Sequence, residues 1–338
     1  MSDNTAPSKQ WQKLIGIVLA LTFVLIAMLA AFVSPLINSG PNDLPLAVGG
    51  PTAATQQITT GLETKAADTF DLTTYATADE ATQAVKDREA IGAITAGPEG
   101  IVVVTASGAG TPYTQILTQL GMELGKTGQP VSFNDVAPLT AEDPAGTGIS
   151  ALALPLIFGG MTSSVALFTT FKKSRLLQII GALAVAVIAG IVATAVLQFG
   201  YGAIAGDFWL TASMVSLGIA AISCTVLGLA SLIGYGGIGL GGVIMLFVSN
   251  PLAGIATGPY WLPQPWGEVG QFLPVGAAGS AIRSAAFFAG GGLTQPATVL
   301  VCWVLAGLCL FGLGVMRTKK TSPSNEPSSQ ASKQLSAA

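Results

Sequence analysis

The stretch LIGIVLALTFVLIAMLAAFVSPLI, residues 14–37, decides how the rest of the chain is read. It carries no charge from end to end, and a helix needs only roughly 20 mostly apolar residues to cross the hydrocarbon of a bilayer. A polar block at 38–148 follows it, after which long apolar runs return at 149–171, 176–199, 209–233 and 296–316. A shorter run, 240–257, has Asn250-Pro251 inside it and reads as a span with a broken far end. The expected fold is therefore an α-helical membrane protein with six transmembrane helices and a small extracellular α/β domain inserted between the first and the second. The first run has a basic start, as a signal peptide has, but it is too long for an h-region and no small-x-small site closes it; it reads as an uncleaved signal-anchor.

Composition excludes several chemistries. Only 9% of residues are charged, and most of these lie outside the apolar runs. The 42 glycines suit helices that approach closely in a bilayer. Histidine, the commonest general base and metal ligand, is absent. Cys224, Cys302 and Cys309 fall within spans at no metal-binding or redox spacing, so burial as small apolar side chains accounts for them. No enzymatic activity, cofactor or metal is expected.

Lysine and arginine beside the spans set the orientation, because positive excess marks the cytoplasm. Lys9 and Lys13 precede the first run, Lys172, Lys173 and Arg175 separate the second from the third, and Arg317, Lys319 and Lys320 follow the last. With six spans all of these fall on one side. Residues 1–13 and 317–338 are then cytoplasmic, and the Ser-, Pro- and Gln-rich tail has too little apolar surface to fold. The polar block lies outside. It holds thirteen acidic against four basic residues, which does not suit nucleic acid, and its carboxylates are scattered rather than grouped at ligand spacing.

Within the block, strand and helix patterns alternate. Strands are expected at 44–48, 69–75, 91–95, 101–105 and 131–136, and helices at 55–65, 78–90 and 112–124. Thr77 with Glu80 has the capping-box spacing, and Gly97-Pro98-Glu99-Gly100 has the turn chemistry of a hairpin.

This order of elements resembles a type-2 ABC-transporter permease, in particular the phage-infection-protein-like branch. Leu44-Pro45-Leu46-Ala47-Val48 resembles that family's first external strand. Ala78-Asp79-Glu80-Ala81-Thr82-Gln83-Ala84-Val85 running into Ile91-Gly92-Ala93-Ile94 resembles its polar helix and apolar strand. Asp135-Val136-Ala137-Pro138 and Asp143-Pro144-Ala145-Gly146 resemble the approach to its second span. Leu262-Pro263-Gln264-Pro265-Trp266 and Leu273-Pro274-Val275-Gly276-Ala277-Ala278 resemble the segment before its last span. The resemblance implies an export permease that works as a homo- or heterodimer with a separate cytoplasmic ATPase subunit. The chain has no ATPase motif of its own: Gly121 to Lys126 falls one residue short of a phosphate loop, and Gly234-Tyr235-Gly236-Gly237-Ile238-Gly239 matches GxGxxG without the preceding strand, so it reads as a tight turn between helices.

Three groups of residues are candidates for function. Lys172, Lys173 and Arg175 form the candidate ATPase-coupling loop, although the segments available for such a grip are short. Anchoring helix ends is the plainer role for these cations. Within an external re-entrant stretch, 258–295, Arg283 sits on a short apolar helix at 277–288 and needs a carboxylate or carbonyl partner. Glu268 and Asp207 are its candidate partners in an external gate, snorkelling to headgroups being the alternative. Asn250-Pro251 reads as a helix break, either a gate hinge or the end of a short span. No ionisable residue lies mid-span, which argues against proton or sodium coupling and suits an amphipathic or lipid-like cargo. Thr162, Ser163, Ser164, Gln198, Ser213, Ser216 and Asn250 could line a path or could bond to helix carbonyls or neighbouring helices. A different class of function stays open: a stand-alone membrane scaffold or receptor whose outer domain binds a cell-envelope partner.

Overall fold

A computed structural model describes residues 7–66, 68–98, 100–126 and 128–321; the tail beyond, and Glu99 of the hairpin turn, lie outside the described residues. A long helix, α1 (Pro7–Ile37), leads into an α/β domain composed of β1 (Leu44–Gly49), α2 (Thr52–Lys65), β2 (Phe70–Tyr75), α3 (Ala78–Lys86), β3 (Gly92–Gly97), β4 (Gly100–Thr105), α4 (Thr111–Gly125) and β5 (Val131–Asp135). The strands form one mixed sheet of order β2-β1-β3-β4-β5, antiparallel only at the β3–β4 hairpin. The elements match the expected alternation closely. At Thr77 the capping box is complete, its hydroxyl taking the Glu80 N–H at 3.1 Å while the Glu80 carboxylate takes the N–H of Ala76 and Thr77.

Period-two alternation divides the domain core into two layers. Leu44, Leu46, Ile94 and Val103 point to one face, where α2 and α4 cover them; Ala47, Ala93 and Val104 point to the other, against Ala81, Ala84 and Val85 of α3. The helix placement has a topological reason. The chain steps outward from β1 to β2 and then back past β1 to β3, so crossovers of a single hand must put α2 and α3 on opposite faces.

The remainder is helical: α5 (Thr147–Ala151), α6 (Ala153–Thr170), α7 (Arg175–Ala195), α8 (Phe208–Ile233), α9 (Tyr235–Gly242), α10 (Trp266–Gln271), α11 (Pro274–Phe287) and α12 (Thr294–Thr321). By length and composition five segments can cross a membrane, namely Lys9–Pro35, Thr147–Thr170, Arg175–Gly200, Phe208–Ile233 and Thr294–Arg317. The architecture is that of a helical membrane protein carrying a small mixed sheet. Helix α8 is its axis, buried along most of its length between α6, α7, α11 and α12. Small residues permit this: a side chain on Gly307 of α12 would strike the Cys224 carbonyl group of α8, and one on Gly160 of α6 would strike Ile222.

Two expectations change here. The glycine-rich run after α8 is not a flexible turn: Gly234 alone leaves helical geometry, at φ 64°, and α9 begins at Tyr235. The short apolar helix therefore spans Tyr235–Ser249 rather than 240–257, its second half in wide π-type turns. It ends where Asn250 donates to the Met245 carbonyl, since Pro251 has no N–H with which to continue. At ~1.5 Å per residue it reaches roughly 22 Å, short of a ~30 Å hydrocarbon layer.

Asp143 closes the entry to the helical part. Its carboxylate accepts from the N–H of Thr147 at 2.8 Å and of Gly148 at 2.7 Å, at the start of α5. Partial burial on its own would raise the Asp143 pKa, but these hydrogen bonds outweigh it and hold the carboxyl below its ordinary value. A depressed carboxylate contributes stability that is complete above the unfolded value of about 3.9 and is lost as pH falls through the lower folded one. Asp143→Asn, which has one acceptor oxygen where the carboxylate has two, loses one of these bonds and should cost about 1 kcal/mol at neutral pH, with a shallower acid limb in thermal unfolding followed against pH.

Candidate functional site

The α/β domain sits on α11, and arginines from both sides make the joint. Twelve of the α11 residues, Pro274 to Gly279 and Ala281 to Ala286, are buried. Arg283, 5% exposed, donates through Nη1 to the Gly108 carbonyl at 2.5 Å and through Nη2 to the Ile255 carbonyl. It thus ties the turn Ser107–Ala109 of the α/β domain to the chain that follows α9. Carbonyls, the second of the partner types expected, are what it finds. Asp207 instead caps α8, its Oδ1 accepting from the Leu210 N–H at 2.6 Å, and Glu268 lies exposed on α10. The expected grouping of Arg283 with both carboxylates is thus replaced by two carbonyl contacts, because each acid has a better local use or solvent.

The second arginine is Arg88, which sequence reasoning passed over as part of a helix at 78–90. Helix α3 instead ends at Lys86, with Asp87 as its cap. Arg88 takes the left-handed conformation at φ 62°, its N–H bonding to the Val85 carbonyl while the Glu89 N–H bonds to that of Ala84. That is a Schellman motif with arginine at the position glycine usually fills. A left-handed L-residue costs ~1–2 kcal/mol, and the guanidinium shows what offsets it. Nη1 donates to the Ser280 carbonyl and the Ser284 hydroxyl, each at 2.6 Å, and the group lies 5.4 Å from the centre of the Phe288 ring. Burial pulls the Arg88 pKa below its ordinary value. The available signal in the sequence was that Arg88 is the one arginine of the polar block, directly before an apolar strand.

Between the domain and the stretch after α9 lies a cavity of about 370 Å³, walled by Arg88, Tyr113, Tyr260, Phe272 and Phe288, with Glu268 beside them. Tyr113 is 1% exposed and packs edge-on against Trp261 at 6.1 Å. Its hydroxyl faces the backbone of Tyr260 and Trp261 without reaching hydrogen-bond geometry, and burial pushes its pKa well up. A second cavity, about 460 Å³, lies between α1 and the segment around Pro251, walled by Ala30, Pro35, Phe247 and Trp266 among others.

At the opposite end, Lys172 and Lys173 are exposed in the turn between α6 and α7. Gln178, fully buried, ties that turn down by donating to the Phe171 carbonyl at 3.0 Å, and Arg175 donates to the Gln178 side chain at 3.4 Å. The hydroxyls that could have lined a path are spent on carbonyls. Thr162 bonds to Phe158, Ser163 and Ser164 to Gly160, Ser213 to Trp209 and Ser216 to Ala212, while Gln198 bonds to Gly206. Among the described residues no group of acidic, cysteine or histidine side chains could hold a metal ion.

No family model matches the sequence, no curated protein matches it, and no solved structure matches its fold.

Proposed function

We propose that the chain is the membrane subunit of an ATP-driven exporter, which dimerises and moves an amphipathic or lipid-like cargo with the help of separate cytoplasmic ATPase subunits. One observation carries the reading: α11 is a buried plate held from above by Arg88 and Arg283 contacts and from below by α8 and α12. In this reading a shift of the helices beneath is passed through α11 to the domain above, as a gated permease requires. In this reading Tyr235–Ser249 and the turns after it form the sixth crossing, so both termini are cytoplasmic and the α/β domain is extracellular. The basic residues beside the spans support that orientation.

The test is gentle purification from the native membrane, with mass spectrometry of what accompanies the chain. A stoichiometric ATPase is expected, and its recovery should fall at least about tenfold when Lys172, Lys173 and Arg175 are all replaced by alanine, the loss of a few charge-assisted contacts. Reproducible recovery of envelope proteins and no ATPase would overturn the exporter. The tightness of the 171–174 turn, drawn in by Gln178, favours that second reading, a scaffold or receptor acting through its outer domain.

A further inference from the structure

We infer that the cavity beneath the α/β domain is a binding site for an amphiphile with an anionic oxygen headgroup, a phosphate or a carboxylate, received by Arg88. The reading is independent of any ATPase partner and rests only on the joint between domain and α11.

The first argument is charge. Arg88 and Arg283 approach the same turn of α11, at Ser280, Ser284 and Arg283 itself, yet their partners are carbonyls and a hydroxyl. Neither makes an ion pair among the described residues, where the single salt bridge joins Lys126 to Glu123. Arg283 is withdrawn from water without a counter-charge, and Arg88, half-buried at the cavity wall, has none either, an arrangement that is costly for a guanidinium. An anion in the cavity, which Arg88 lines, recovers part of that cost.

The second argument is donor geometry. A guanidinium has five N–H donors. Nη1 of Arg88 spends its two on Ser280 and Ser284, and the guanidinium lies over the Phe288 ring. The Nε and Nη2 donors have no hydrogen-bond partner among the described residues, and together they form the flat fork that grips a carboxylate or phosphate with two parallel bonds. Arg88 lines the cavity, which puts these donors within reach of an entering oxyanion. The third argument is the wall. Phe272, Phe288 and Pro259 supply apolar surface for a chain, and Tyr260 and Gln264 supply further polar groups. The volume, about 370 Å³, falls in the range of ligand pockets, ~300–1,000 Å³. Glu268, exposed beside it, disfavours a second negative charge and so selects a headgroup of low net charge.

The test is calorimetric titration of the purified full chain, in a nonionic detergent, with octyl phosphate, octanoate, inorganic phosphate and octyltrimethylammonium. Octyl phosphate or octanoate should bind, and the cationic amphiphile should not. If inorganic phosphate binds as well as octyl phosphate, the apolar wall contributes nothing and the amphiphile assignment fails. Arg88→Gly is the informative variant, because glycine is the favoured residue at this left-handed position and preserves the end of α3. It should weaken octyl phosphate at least about tenfold, the loss of one bidentate charge-assisted contact, while Arg88→Lys keeps the charge and retains part of the affinity. Glu268→Gln, at an exposed position, should tighten anion binding. Unchanged affinity in both Arg88→Gly and Glu268→Gln, or equal binding of the cationic amphiphile, would overturn the site.

Discussion

Replacing Arg283 with alanine is expected to lower the stability of the purified protein by about 3 kcal/mol, seen as a large drop in its thermal unfolding temperature in detergent. The side chain is 5% exposed and its two hydrogen bonds bridge segments far apart in sequence, at Gly108 and Ile255. Its removal leaves both carbonyls without a partner, at about 1–3 kcal/mol each, and opens a void in the joint. Removing a desolvated charge offsets part of this loss, so the sign of the result is informative. If Arg283→Ala unfolds at or above the wild-type temperature, the arginine is a burden retained for another purpose, and the joint is held by apolar packing alone. Arg283→Lys separates charge from geometry: an ammonium cannot span both carbonyls as a planar fork does, so it should recover only part of the loss.

Gly307→Leu is expected to be at least as damaging, for a reason of space. Helices α8 and α12 meet so closely that a Cβ on Gly307 would fall 2.6 Å from the oxygen of Cys224 and from the nitrogen of Thr225. Those atoms are backbone and cannot rotate aside, so the helices must separate along a buried seam. Overpacking of a core costs ~1–3 kcal/mol when side chains can adjust, and about 3 kcal/mol or more is expected where they cannot. The measurement is the yield of monodisperse protein after extraction, followed by thermal unfolding. Gly312→Leu on the same helix is the control, since nothing lies within 4 Å of its Cβ position, and it should behave like wild type. Equal damage from both changes would show that α12 fails through insertion or helix propensity rather than through contact with α8.

Much of the fold was legible because its signals are local. Apolar length located the five long helices, and the α/β elements followed from alternation, the Thr77–Glu80 capping box and the hairpin turn. The end of α3 was misread because Arg88 holds a glycine's conformation without being glycine, and only its contacts with Ser280, Ser284 and Phe288 explain why. The glycine-rich segment after Gly234 reads as a turn because it joins two apolar runs with no strand before it, and glycine is a weak helix former; packing against α8, where a side chain on Gly237 would collide with Leu229, accompanies its helical form. At the candidate site, Arg283 was recognisable as a cation on an apolar helix, whereas Arg88 and Tyr113 were not, since their partners lie well over a hundred residues away.

The sequence by itself determined the membrane-protein class, the insertion of one α/β domain after the first apolar run, and the order and type of nearly every element. These follow from hydropathy and short-range stereochemistry, which a linear chain displays directly. Only the tertiary structure decided that the domain rests on a largely buried α11, that Arg283 bonds to carbonyls rather than to Glu268 or Asp207, and that Arg88 joins it at the edge of a cavity. Those facts depend on which distant groups come to share one desolvated space, where a buried charge must take the partners within reach and no local pattern specifies them.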